Sequence, residues 1–206
     1  MIRPLLLTLL TVTALRADDP PAPAGHEHHA DAAAASAGRK LEMIEGLTAA
    51  DFLRLSTKPN TVEVLIVAVF TDDNYGMNFN GYAKGQATYV IPKGWTVEVT
   101  FINPSPIPHS LIVVEKDTLK SIQFKEPCFK GAVVPAAPKH LQGMAYEKGT
   151  FSFTADEAGD YAFACGFPGH AAAGHWIALE VSDTAPVPTL QLGTAAATPA
   201  SPAKKG

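Results

Sequence analysis

Residues 62–181 are divided by glycine and proline into apolar stretches too short to be helices, and this rhythm restricts the fold more than any other feature. Trp95, Val97, Val99 and Phe101 fall on one side of an extended chain and Thr96, Glu98 and Thr100 on the other, the period of a half-buried strand. Residues 62–70 form an almost unbroken run rich in Val and Ile, which suits a strand buried on both faces. Pro92-Lys93-Gly94 separates a strand expected at 86–91 from the alternating one at 95–102. Further strands are expected at 110–114, 150–154, 159–164 and 175–181. Many short strands with frequent turns predict an all-β fold, a β-sandwich closed by Greek-key connections. Ahead of it, residues 46–55 read as a short N-terminal helix, with Thr48 placed to cap, Asp51 three residues on and Pro59 beyond the end. The stretch 115–149 is irregular, with one helical turn expected at 117–122 and a loop at 135–138.

Both ends of the 206-residue chain lack what a core needs. Residues 1–17 have a basic start at Arg3, an apolar run from Leu5 to Leu15 and small residues at Ala14 and Ala17, the pattern of a secretory signal peptide. The run is shorter than the roughly 18 apolar residues of a membrane span, so the expected product is periplasmic or otherwise exported, soluble and not membrane-spanning after cleavage. Residues 18–40 are dominated by Ala and Pro and read as a mobile linker. Within it His26-Glu27-His28-His29 is a cluster of the kind that holds extra Cu(II) or Zn(II) weakly. Residues 184–206 share the Ala, Pro and Thr bias and are expected to be a disordered tail, which leaves one domain at 41–183. A net charge of −4 with no basic stripe argues against nucleic acid as a partner. Nothing in the sequence sets the oligomeric state.

The loop from Cys165 through His170 to His175 puts a thiol and two imidazoles close together in sequence. A soft thiolate with two imidazoles and a weaker axial donor suits an electron-transferring copper centre. Cys165 and His170 would supply two strong donors, His175 the axial one, and His109, in Pro108-His109-Ser110 between two strands, the third strong donor. Strand ends gather at one pole of a sandwich, so His109 and Cys165 can meet there. Binding would deprotonate Cys165, and each imidazole would bind through one nitrogen while the other orients the ring. Asn103 and Ser110 are candidates for hydrogen bonds that hold these loops, although polar loop residues are often only solvated. In an oxidising compartment Cys128 and Cys165 are alternatively a disulfide pair, but a bridge accounts neither for the spacing of His170 and His175 nor for Pro168-Gly169. With Cys165 as a ligand, Cys128 is an odd thiol of unassigned state. His140, beside Lys139 and Leu141, reads as a solvated surface histidine.

Four segments carry a family likeness: Asn78-Phe79-Asn80-Gly81-Tyr82-Ala83-Lys84-Gly85-Gln86, Ile91-Pro92-Lys93-Gly94-Trp95, Pro108-His109-Ser110 and residues 165–174. Together they resemble the sulfocyanin-like branch of the cupredoxins. The resemblance implies a cupredoxin β-sandwich with one copper per domain, cycling between Cu(I) and Cu(II), and ligand roles for His109, Cys165 and His170. It implies a carrier of single electrons between larger redox proteins, such as a cytochrome or an oxidase, that is not itself an enzyme. Members usually carry methionine where this chain has His175. Imidazole is a better donor to Cu(II) than a thioether, so His175 is expected to lower the potential, by about 59 mV for each tenfold gain in relative Cu(II) affinity. A stronger axial donor should also weaken the copper bond to Cys165 and move the colour from blue toward green or red. The alternative function is a periplasmic copper-tolerance protein that binds or oxidises excess copper, in keeping with the cluster at His26, His28 and His29 and with His175. A multicopper oxidase would place histidines on both sides of the cysteine, where this chain has Ala164 and Gly166.

Overall fold

A computed structural model describes residues 26–204. The expected signal peptide at 1–17 and the start of the expected linker lie outside the described residues. The helix α1 (His26–Ile44) precedes strands β1 (Leu53–Leu55), β2 (Thr61–Val67), β3 (Ala87–Pro92), β4 (Thr96–Asn103), β5 (Leu111–Glu115), β6 (Val133–Val134), β7 (Glu147–Thr154), β8 (Gly159–Ala164), β9 (Trp176–Ser182), β10 (Thr189–Leu192) and β11 (Thr198–Pro199). These strands make two sheets, β1-β2-β4-β7 and β11-β10-β3-β9-β8-β5-β6. The chain crosses between the sheets repeatedly, so β2 runs parallel to β4 and β3 parallel to β9, while the other pairs are antiparallel. This is the Greek-key sandwich that the strand rhythm predicts.

The alternation in β4 points Val97, Val99 and Phe101 into the core and leaves Thr96, Glu98 and Thr100 half-buried on the other face. Phe79, Tyr89, Phe163, Ile177 and Leu179 belong to the same core, and burial of each such side chain contributes about 1.5–3 kcal/mol. A second apolar cluster lies behind β5 and β8, where Ile112, Val114, Ala162 and Ala164 pack with Leu119 and Phe124. The irregular segment between β5 and β7 thus covers the outer face of the larger sheet. That cover explains why Leu111 to Val114 are buried without alternation.

Three expectations about the ends are corrected. Residues 26–44 form a helix where a mobile linker was expected, because the run of alanines that looks structureless by composition has the highest helix propensity of any residue type. None of its described side chains is buried; Ser36 is hydrogen-bonded to the Tyr146 hydroxyl, and the Arg39 guanidinium stands 4.3 Å over the Tyr146 ring. Its first turns carry His26, His28 and His29, whose side chains lie outside the described residues. The helix expected at 46–55 shrinks to one 3-10 turn, Ala49–Asp51, closed by Thr48 N–H donating to Asp51 Oδ2 at 2.9 Å. Beyond it Phe52 and Leu53 enter the core, and Leu53 pairs with Val64 of β2, so tertiary burial overrides the local helical pattern.

The tail expected to be disordered from Thr184 is ordered over most of its length. β10 pairs with the edge of β3, with Leu190 opposite Tyr89 and buried in the core. Farther on, Ser201 N–H donates to Leu53 O at 2.9 Å and Leu55 N–H to Ser201 O at 2.8 Å. An open sheet edge offers backbone partners to any segment that can reach it, so low apolar content did not prevent ordering.

Candidate metal centre

Cys165 follows the last residue of β8 and His175 precedes the first of β9, and the ladder between these strands continues one step past both. The Cys165 amide donates to the His175 carbonyl at 3.0 Å. The loop between them folds on its own backbone: His170 N–H donates to Phe167 O at 3.2 Å, and His175 N–H to His170 O at 3.0 Å. Gly169 N–H reaches Ile122 O at 2.7 Å, which ties the loop to the segment covering the sheet.

His109 comes from the connection between β4 and β5. Its amide donates to Met144 O at 3.1 Å and its carbonyl accepts from Met144 N–H at 2.8 Å, a single β-bridge. Gly143 makes that approach possible: it has φ +69°, and a Cβ there would lie 2.9 Å from His109 N and 3.0 Å from His109 O. Asn103 fastens the same connection from below, with Nδ2 donating to Ile107 O at 2.7 Å and Met144 O at 2.6 Å, and Oδ1 accepting from Ser105 N–H at 3.1 Å. Of the two candidate loop-holding residues, Asn103 is therefore fully engaged. Ser110 Oγ is buried without a hydrogen-bond partner.

His109, Cys165, His170 and His175 come together at one pole, with one donor atom from each lying within 4.8 Å of the others. Cys165 Sγ is 3.5 Å from His170 Nδ1 and 3.8 Å from His109 Nδ1. The His109 ring stands 5.1 Å from that of His170 and 4.7 Å from that of His175. Three of the four residues are buried, and His170 is half-buried. Burial, with a smaller effect of His170, holds the His109 imidazole down at about 3, and burial lowers His170 and His175 as well. Burial pushes the Cys165 thiol up to about 11, against the opposing pull of the Ser110 and Phe167 amides. Burial thus favours the neutral forms of all four groups, three imidazoles and a thiol, when no metal is bound.

The chemistry of this donor set fits copper. His175 Nε2 lies 3.1 Å from the Asn78 carbonyl, while its Nδ1 is buried with no partner. An orphaned imidazole nitrogen inside a protein is costly, and a cation removes that cost. Thiolate and imidazole are also the donors that a mononuclear electron-transfer copper takes. Both cysteines are free; Cys128 is outside the cluster, with Sγ–H donating to Val113 O at 3.3 Å.

His140 is corrected from a surface histidine to a fully buried one. Its Nε2 is 3.0 Å from Phe124 O, and its ring lies against Gly166, where a Cβ would come within 2.7 Å of His140 Cδ2. A lone histidine between Lys139 and Leu141 gives no sign of this, because the covering segment that encloses it has no periodicity. Gly143, Met144 and Asn78 also escaped the sequence reading as contributors to the site. Each acts through backbone atoms that residue type does not announce.

A family model described as "Sulfocyanin (SoxE) domain" matches residues 48–191. The chain belongs to the sulfocyanin family. A sulfocyanin of Sulfolobus acidocaldarius is 31% identical over 141 residues, 65% of this chain and 69% of that protein. A rusticyanin of Acidithiobacillus ferrooxidans is 32% identical over 136 residues, again 65% and 69%. Among solved structures, reduced rusticyanin covers 72% of this chain and 95% of its own, at 22% identity and a TM-score of 0.45. Membership in this family of cupredoxins makes the chain a copper protein of the electron-transfer kind, binding one copper. Among the described residues no helix is long and apolar enough to cross a membrane.

Proposed function

We propose that this sulfocyanin-family protein is a periplasmic one-electron carrier whose copper is held by His109, Cys165, His170 and His175. The observation that carries the reading is the gathering of these four donors within 4.8 Å on loops fixed by two strand ladders. Copper, when bound, supplies the one-electron couple. Cys165 would hold it as the thiolate, releasing its proton to solvent, aided by the Ser110 and Phe167 amides that favour the charged sulfur. His109 and His175 sit on backbone fixed by hydrogen bonds to Met144 and Cys165, so they would hold the metal with little rearrangement. His170 is the half-buried imidazole of the four, and its outer edge would offer a redox partner such as a cytochrome or an oxidase a path for the electron. Its ring is steadied by Phe167, 4.6 Å away. His175, in place of the usual methionine, makes the site a lower-potential member of its type.

The carrier role is tested with purified mature protein mixed with a c-type cytochrome in a stopped-flow instrument. Rapid, reversible and stoichiometric electron exchange at one copper per chain is the expected result. Slow exchange together with uptake of several coppers per chain would contradict it and favour copper tolerance.

A further inference from the structure

Asn78 is fully buried and lies outside every strand, yet its carbonyl oxygen accepts from two donors: the Val69 amide at 3.0 Å and His175 Nε2 at 3.1 Å. A carbonyl has no proton to give, so Nε2 must carry the hydrogen of the His175 ring. In the neutral imidazole the lone pair is then on Nδ1, the nitrogen left buried without a partner.

The carbonyl is held on both sides. Val69 has φ +53°, a conformation in which a β-branched residue is an outlier, and its amide reaches Asn78 O from there. Such strain persists only where the surroundings over-determine it, and it gathers at functional sites. The Asn78 carboxamide closes the loop on itself: Nδ2 donates to Thr71 O and Asp73 O, both at 2.8 Å, and Oδ1 accepts from Thr71 N–H at 3.3 Å. Phe79, next in the chain, lays its ring 4.2 Å from that of His175.

We propose that Asn78 is a positioning residue for His175: its clamped carbonyl locks the ring as the Nε2–H tautomer and leaves Nδ1 as the nitrogen that would hold copper. The proposal rests on the reading of His175 as a ligand. It makes the loop between Val69 and Asn78, distant in sequence from every other donor, a determinant of how strongly His175 would bind copper and hence of the potential. Other side chains at position 78 keep a carbonyl but lose the clamp that aims it.

Nitrogen NMR of the metal-free wild-type protein, which depends on no substitution, reads the tautomer directly. It should show His175 protonated on Nε2 and bare on Nδ1, with the Nε2 proton protected from exchange; protonation on Nδ1 would overturn the proposal. Asn78→Ala keeps the carbonyl but loses the carboxamide bonds that aim it, so that proton should exchange about tenfold faster, a weakening on the order of one hydrogen bond. The copper-loaded variant should move in absorption, EPR and potential toward His175→Met, rising by about 59 mV for each tenfold loss of relative Cu(II) affinity. If Asn78→Ala matches wild type in all these readouts while His175→Met does not, Asn78 does not position the ring. If His175→Met itself matches wild type, the ligand reading of His175 fails, and the proposal fails with it.

Discussion

The amide of Cys165 and the carbonyl of His175 are hydrogen-bonded at 3.0 Å, so the first and last donors of the loop are joined by backbone as well as by the chain between them. The spacing of the two is therefore set by the β8–β9 ladder and not by the side chains. A change at His175 should alter the donor while leaving the loop in place.

His175→Met is accordingly expected to give a bluer site with a higher potential. Replacing imidazole by thioether weakens preference for Cu(II), and a hundredfold loss corresponds to about 120 mV. Visible absorption and voltammetry check this. An unchanged spectrum and potential would mean that His175 is no ligand.

Gly143→Ala should damage the His109 side of the site. The added Cβ would press on backbone atoms, which cannot swing away, and the residue has φ +69°. Strain and overpacking together should cost at least about 2 kcal/mol, seen as a lower unfolding midpoint in denaturant. The copper spectrum should broaden, because Met144 and His109 can no longer pair as they do.

Asp51 accepts from the Thr48 amide and hydroxyl, both at 2.9 Å, from Arg54 at 2.9 Å and from Lys204 at 3.3 Å. The Thr48 amide is the main cause that holds its carboxyl well below the usual range. A folded pKa below the unfolded one stabilises above the unfolded value, about 3.9, and that stability is lost as pH falls through the folded value. Asp51→Asn should cost about 1 kcal/mol at pH 7, the size of a lost cap. Below about pH 4 the gap from wild type should narrow in thermal melts.

Truncation after Asp183 should leave the coloured site intact but weaken the fold. It removes Leu190 from the core and exposes the edge of β3 that β10 covers. Calorimetry should find a lower midpoint, and light scattering a greater tendency to associate through the bared edge.

The seven strands expected from the sequence appear within a few residues of their places, because each announces itself by local periodicity or by an apolar run between turns. Pattern did not reveal β1, β6, β10 and β11. These are short or poor in apolar residues and exist because an existing strand offers them hydrogen bonds. The four-donor cluster was legible for a different reason. Cysteine and histidine have few structural uses in such a loop, so their spacing speaks directly, and the topology then brings His109 to the same pole. What holds the donors was not legible: Asn103, Met144 and the Asn78 carbonyl act through contacts between segments far apart in sequence.

Titration of the purified, metal-free protein with copper, followed by absorption and EPR, is the most direct test of a copper site at this pole, with Cys165→Ser alongside. One tightly bound copper per chain is expected, with intense thiolate-to-copper absorption that the variant loses. A colourless copper complex in the wild-type protein, or a disulfide between Cys128 and Cys165 in freshly prepared protein, would contradict it.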